Sequence, residues 1–180
     1  MAFYTARVEY ALHTLLNLSL APAEQAPSAR ELAEFQRLPV MFVRKVLTQL
    51  EKAGLVEGSE GVRGGWRLAR DPASISVLDI AEAARGGDEP LFECREIRGR
   101  CALWPDGKAP RPAVTGVCSI HAVMLAAESA MRRELGSHTL ADLNAWVGAK
   151  SSAAWKSTVE SWFADRYESR TAASPAERAR

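Results

Sequence analysis

Net charge and long apolar runs are scarce in this chain. Its 23 lysines and arginines against 22 aspartates and glutamates leave +1 at pH 7, which excludes a uniformly basic nucleic-acid coat protein and a strongly acidic tail. Local clusters of charge can still bind DNA. The N-terminal apolar stretch is interrupted by Arg7, Glu9 and His13, so it predicts neither a signal peptide nor a membrane span. We therefore expect a cytoplasmic protein without a membrane partner.

Histidine and cysteine are equally rare, with three of each. The sequence has no convincing nucleophile–base pair, and its glycine-rich segment does not lie between a strand and a helix as a phosphate-binding loop would. These features argue against an enzyme. All three cysteines, Cys94, Cys101 and Cys118, share one window of the chain. In a reducing cytosol, clustered cysteines more often bind metal or carry out redox chemistry than form structural disulfides.

The first 70 residues have the pattern of a winged helix–turn–helix. Apolar spacing predicts a helix over residues 4–20, and Ser28 with Glu31 forms a capping box that begins a second helix. A third helix begins after Pro39 and ends at Gly54. Two short apolar runs then flank a glycine-rich turn, which indicates a β-hairpin. We predict a mainly α fold with a small β-hairpin wing, followed by a long C-terminal dimerisation helix.

The rest of the chain divides into two parts. Residues 71–148 contain a short helix closed by Gly86, a cysteine loop without periodicity, a long helix over 118–136 and a short helix after Thr139. Residues 149–180 form a C-terminal tail in which the aromatic residues indicate a helix and the segment from Ser169 onward indicates disorder.

Positive charge is concentrated in the predicted winged helix. Residues 37–70 carry seven basic and three acidic side chains, although the whole chain is nearly neutral. Basic residues near the start of the third helix suit a major groove, and those at the wing suit phosphates or the minor groove. The alternative is that these charges are simply solvated. The residues assigned to DNA are Ser28, Met41, Arg44, Lys45, Arg63, Gly64 and Gly65.

A family resemblance supports this assignment. The motifs that carry it are Gly54-Leu55-Val56, Gly61-Val62-Arg63-Gly64-Gly65-Trp66, Leu68-Ala69, Ile75 and Val77-Leu78-Asp79-Ile80. Over residues 1–147 the chain resembles the bacterial IscR/NsrR-type winged-helix transcription regulators. The resemblance implies a homodimer held by the helix over 118–136, with each subunit binding half of a near-palindromic operator. It also implies an iron–sulfur cluster, ligated by loop cysteines, that sets DNA affinity.

The ligand set implied by the resemblance has one uncertain member. The cysteine spacing is wider than the family's usual pattern, which puts Cys101 in question. A branch with widely spaced cysteines and a two-iron cluster resembles this chain most, so 2Fe–2S is favoured over 4Fe–4S. That branch adds a glutamate, here Glu9, and a histidine where this chain has Gln36. We rank Cys94 and Cys118 first as ligands, then Cys101 and Glu9, then His121.

Other interpretations use the same residues. A zinc site would brace the loop without redox chemistry, and a metal-free regulator could switch through a reversible disulfide. An electron-transfer or cluster-carrier protein would explain the cysteines but not the basic winged helix. The leading hypothesis is a regulator whose cluster senses redox state, nitric oxide or iron–sulfur supply.

Overall fold

The computed structural model describes residues 5–22, 24–87, 97–100, 102–104 and 106–172. Within these residues the chain is mostly helical, with one antiparallel two-stranded hairpin. The helices are α1 (Ala6–Leu20), α2 (Ala29–Gln36), α3 (Val40–Lys52), α4 (Val77–Arg85), α5 (Arg111–Val114), α6 (Ser119–Gly136), α7 (Leu140–Lys150) and α8 (Ala153–Ala172); the strands are β1 (Val56–Ser59) and β2 (Gly65–Leu68). This order confirms the predicted fold class of three helices, a hairpin wing and a long later helix.

Helices α2 and α3 form a helix–turn–helix with defined caps. Ser28 and Glu31 make the predicted capping box at the start of α2, each side chain bonding the other's backbone N–H. At the end of α2, Arg37 adopts the left-handed conformation with φ 53°. The N–H of Leu38 then donates to the carbonyl of Ala33 at 2.9 Å, which turns the chain sharply into α3.

The hairpin follows α3 after a second sharp helix end. Gly54 has φ 66°, and the N–H of Leu55 donates to the carbonyl of Leu50 at 2.9 Å. Strand β1 then pairs with β2, with Val56 opposite Leu68 and Ser59 opposite Gly65. Gly54 can take this conformation without strain because it has no Cβ.

The core lies where α1, α3 and α4 meet. The apolar spacing of α1 places Val8, Ala11, Leu12, Leu15 and Leu18 on one face; Leu12 is partly buried and the other four are buried. The apolar spacing of α3 likewise forms one face, on which Phe42 is partly buried and Val43, Val46, Leu47 and Leu50 are fully buried. This packing directs the opposite face of α3 toward solvent.

Helix α6 is joined to the core at its C-terminal end. Its residues Met131 and Leu135 pack on the core, and Arg132 forms an ion pair with Glu82 on α4. Two backbone hydrogen bonds then connect the starts of α4 and α7: Val77 N–H to the His138 carbonyl and Leu140 N–H to the Ile75 carbonyl, both at 2.8 Å. These contacts fix α6 at residues 131–138.

The N-terminal half of α6 is exposed and apolar. None of its 18 residues is buried, and both Ile120 and Val123 keep 67% of their surface exposed. By length and composition alone, the segment Arg111–Gly136 could cross a membrane, with only a small share of it buried. The predicted helix over 118–136 is therefore present, with an apolar surface that the described residues leave exposed.

Helix α8 folds back onto the winged helix. Val159 and Phe163 are buried within the same core cluster as α1 and α3, and Phe35 of α2 packs against Phe163 with ring centroids 4.9 Å apart. The predicted tail helix is thus present. The predicted disorder from Ser169 onward is wrong for residues 169–172, which continue α8 because Arg170 is held by contacts with the wing and α2. Residues 173–180 lie outside the described residues.

Candidate DNA-binding surface and sensor residues

The solvent face of α3 presents the side chains predicted to contact DNA. Met41 keeps 73% of its surface exposed, and Arg44 and Lys45 are also exposed. They lie opposite the buried stripe formed by Val46 and Leu50. A helix that is apolar on one side and basic near its start on the other can enter a major groove while remaining packed on its domain.

The wing places one basic side chain at the hairpin tip. Arg63 and its neighbour Val62 are exposed in the turn between β1 and β2. The turn is closed by a hydrogen bond from the Gly64 N–H to the Gly61 carbonyl at 3.0 Å. The same hairpin also exposes Glu57 and Glu60, whose carboxylates offset part of the positive charge that Arg63 places at the tip.

Gly64 and Gly65, whose side-chain-free backbone is predicted to approach DNA, are buried in this structure. A Cβ on Gly65 would lie 2.2 Å from the Ala26 carbonyl oxygen, and one on Gly64 would lie 2.2 Å from the Ser59 carbonyl oxygen. These positions therefore need glycine because the chain packs against its own backbone. Their lack of side chains opens no surface to DNA in this conformation.

Ser28 has a local structural role. Its hydroxyl oxygen accepts a hydrogen bond from the Glu31 N–H at 3.2 Å, and its own N–H donates to the Glu31 carboxylate at 2.7 Å. The residue is half-buried at the start of α2. This capping fixes the start of α2, the helix that precedes α3, whose exposed face is the candidate DNA-binding surface.

Of the three cysteines, the structure describes only Cys118. It is half-buried and is the N-cap of α6, and His121 follows in the first turn of that helix. The two residues are therefore close in sequence at the start of one helix. Cys94 and Cys101 lie outside the described residues.

Glu9 lies on a different surface. It is exposed on α1 and lines a cleft of about 500 Å³ together with His13, Gln36 and Trp155. The Gln36 amide bridges α2 and α1, because its NH₂ donates to the Thr14 hydroxyl at 3.2 Å and to the Leu32 carbonyl at 3.2 Å. Gln36 therefore uses its amide to hold α1 and α2 together, which agrees with the expectation that it is a poor iron ligand.

The described donors do not form a complete metal site within one protomer. Thiolate, imidazole and carboxylate are suitable ligand types for iron. However, across the part of the chain that the structure describes, no three His, Cys, Asp or Glu side chains come together in a group that could hold a metal. Glu9 is thus not assembled with Cys118 and His121.

Nothing in the sequence indicated that Arg170 of α8 contacts the wing. Its guanidinium donates to the carbonyls of Gly64 and Ala26 and pairs with the Glu31 carboxylate. The aromatic residues of the tail, Trp155, Trp162 and Phe163, indicated a helix, but they give no information about which surface that helix packs on.

Comparisons with known proteins agree with a winged-helix regulator fold. Residues 4–145 match the Rrf2 family, described as iron-dependent transcriptional regulators. The chain is 30% identical over 141 residues to the HTH-type transcriptional regulator NsrR of Shouchella clausii. The aligned region covers 77% of this chain and 86% of that protein.

Two solved structures share the fold. IscR of T. potens superposes with a TM-score of 0.61 at 23% identity, covering 83% of this chain and 91% of that one. The oxidised form of CymR from Staphylococcus aureus superposes with a TM-score of 0.56 at 20% identity, covering 80% and 96%. At these identities the likeness establishes the fold alone.

Proposed function

Because this chain belongs to the Rrf2 family of transcriptional regulators, we propose that it binds a near-palindromic operator in the cytoplasm as a homodimer, and that a cluster at its cysteines sets the affinity. The relatives it matches are regulators and not enzymes. The observation that carries the DNA-binding part is the exposed Met41–Arg44–Lys45 face of α3, opposite a fully buried stripe.

Each exposed side chain of this surface has a role in the proposed DNA contact. Arg44 and Lys45 approach bases or phosphates of the major groove from α3, and Met41 offers an apolar contact such as that with a thymine methyl group. Arg63 reaches the backbone or minor groove from the wing. Ser28 stabilises the helix that supports α3.

A second copy of the chain is the proposed partner of α6. Its exposed apolar half, which includes Ile120, Val123 and Met124, would lose contact with water in a dimer. A two-fold axis at this helix pairs identical surfaces and presents two α3 helices, which suits two operator half-sites. The ion pair of Arg132 with Glu82 at the other end favours a soluble dimer over a membrane span.

Ile120→Glu tests the dimer without disturbing the protomer core, because Ile120 is 67% exposed. We expect the variant to be folded by circular dichroism, to sediment as a monomer, and to bind an operator at least tenfold more weakly. Ser129→Glu is the matched control, because residue 129 is exposed on the same helix and lies on the opposite side from Ile120; this variant should remain a dimer. A wild-type chain that sediments as a monomer at micromolar concentration would overturn the dimer proposal.

The proposed sensor is a 2Fe–2S cluster held by Cys94 and Cys118, with Cys101, Glu9 and His121 as candidates for the remaining bonds. When bound, such a cluster supplies reversible electron transfer and reactivity toward oxidants and nitric oxide. Glu9 lies on a different element from Cys118 and forms no metal group with it in one protomer, so its carboxylate would come from the second subunit. Ligation would then couple the α6 end to the winged helix of the partner.

A metal-free thiol switch is the second candidate. One observation favours it: a protein of the same fold, CymR of Staphylococcus aureus, has been solved in an oxidised form. In this mechanism two cysteines lose two electrons and two protons to an oxidant such as a peroxide and form a disulfide. Zinc held by the same thiols is the redox-inactive alternative.

Anaerobic purification separates these candidates. The cluster proposal predicts a coloured protein with two iron and two sulfide per site, and a reduced iron content in Glu9→Ala and Cys118→Ser. Gln25→Ala, which changes a half-buried residue of the α1–α2 connection, is the control that should retain iron. A colourless protein without iron or sulfide refutes the cluster, and thiol titration before and after peroxide treatment then tests the disulfide.

A further inference from the structure

Helix α8 lies beyond the part of the chain that matches the family, which ends at residue 145. It nevertheless contacts the wing directly through one side chain. The Arg170 guanidinium donates to the Gly64 carbonyl at 2.6 Å and to the Ala26 carbonyl at 2.9 Å. Its Nε lies 3.1 Å from the Glu31 carboxylate. One guanidinium thus joins the wing, the α1–α2 connection and the start of α2.

We propose that Arg170 is a positioning residue for DNA binding, which holds the wing in place so that Arg63 reaches the phosphate backbone. The proposal rests on the DNA-binding function proposed above. Arg63 immediately precedes Gly64, so the carbonyl that Arg170 binds lies one residue from the side chain at the hairpin tip. Fixing that peptide fixes the direction in which Arg63 leaves the turn.

Arginine suits this position better than lysine does. Its planar guanidinium carries N–H donors in a fixed arrangement, so it can donate to two carbonyls while its charge stays close to a carboxylate. The two carbonyls belong to segments that also pack directly, because the Trp66 N–H donates to the Pro27 carbonyl at 2.9 Å. Arg170 therefore completes a seam between β2 and the α1–α2 connection.

The rest of α8 provides a rigid base for Arg170. Phe163 is buried against Phe35. One turn before Arg170, Arg166 pairs with Glu34 at 2.9 Å and stacks over the Trp162 ring at 4.4 Å. These contacts attach the helix to α2, so Arg170 acts from a fixed point on the domain.

Loss of Arg170 should weaken DNA binding because the wing becomes more mobile in the free protein. A wing that is mobile in the free protein must be ordered when DNA binds, and ordering even one backbone residue costs about a factor of ten in affinity. We expect Arg170→Met to lower the affinity about tenfold and Arg170→Lys to recover part of that loss. The probe is the duplex that the wild-type protein selects from a random 30-base-pair pool, measured by fluorescence anisotropy.

Arg166→Met is the matched control. It removes a guanidinium from α8 one turn away, and that guanidinium pairs with Glu34 of α2 rather than with the wing. We expect its affinity to change less than twofold. A double-mutant cycle with Arg63→Ala adds a readout that a general loss of stability would not alter. If Arg170 acts through the wing, Arg170→Met should have less than a twofold effect once Arg63 is gone.

Trypsin cleavage after Arg63 tests wing order without DNA. We expect it to be several-fold faster in Arg170→Met than in Arg166→Met at equal global stability. Equal cleavage, equal affinity losses in the two variants, or an undiminished effect in the Arg63→Ala background would each overturn the positioning role. A wild-type protein that selects no duplex would instead refute DNA binding, while the cleavage assay would still report on the Arg170 contact.

Discussion

Phe163→Ala measures directly how firmly α8 is attached to the winged helix. The ring is 2% exposed and packs on Phe35 and Trp162, with centroid distances of 4.9 and 5.1 Å. Truncating a fully buried phenylalanine usually costs about 3–5 kcal/mol. If α8 undocks in the variant, the loss is limited to the free energy of docking the helix, so we take the lower end of that range. We expect about 3 kcal/mol, or roughly 6–12 °C in melting temperature for a chain of this size.

Urea unfolding followed by far-ultraviolet circular dichroism gives this number. The protomer concentration must be the same in every sample, because dimerisation adds to apparent stability. Trp155→Ala on the same helix is the control: the residue is 42% exposed, so we expect its loss to be below about 1 kcal/mol. If Phe163→Ala loses no more than Trp155→Ala, α8 does not dock in solution as the structure shows, and the reasoning is wrong.

Three further changes test other parts of the structure. Gly65→Ala should destabilise the fold by about 1–3 kcal/mol because its Cβ would overlap a backbone carbonyl, whereas Gly148→Ala, in open space on α7, should be neutral or stabilise by up to about 1 kcal/mol in the same urea assay. Arg44→Ala should weaken operator binding and lower the slope of log affinity against log salt by about one unit; an unchanged slope would show that Arg44 does not meet a phosphate. The pKa of Asp142 is held below its ordinary value of 3.8, mainly by the Thr139 backbone N–H and then by the Thr139 hydroxyl. Its contribution to stability is therefore fully present above pH 3.8 and is lost as the pH falls through the lowered pKa, so the difference in melting temperature between wild type and Asp142→Ala should shrink as the pH is lowered below 3.8; a difference independent of pH would contradict this.

The helix caps and helix faces could be predicted from sequence because local chemistry determines them. Ser28 and Glu31 form a capping box within four residues, and the apolar stripe of α3 follows from its spacing. The left-handed turn at Arg37 was not predicted, because the residue type gives no signal of it. Tertiary packing of the α2–α3 pair holds Arg37 in that conformation.

The functional residues were predictable to different degrees. Exposure of Met41, Arg44 and Lys45 followed from helical periodicity. The reason for glycine at Gly65 did not, because the Ala26 carbonyl that Gly65 approaches is 39 residues away in sequence. No local pattern reports a contact across that separation. The cysteine ligands remain predictions, since a site shared by two subunits depends on an arrangement that a single sequence does not specify.

The attachment of α6 at one end makes it a mechanical lever. Its fixed part begins near Met131, where the helix meets the core, and its N-cap is Cys118. The intervening 13 residues span about 20 Å at 1.5 Å per residue. A rotation of about 10° at the pivot would therefore displace Cys118 by roughly 3–4 Å, more than a hydrogen-bond length. Conversely, a force applied at Cys118 would act on the Arg132–Glu82 contact with the mechanical advantage of that arm.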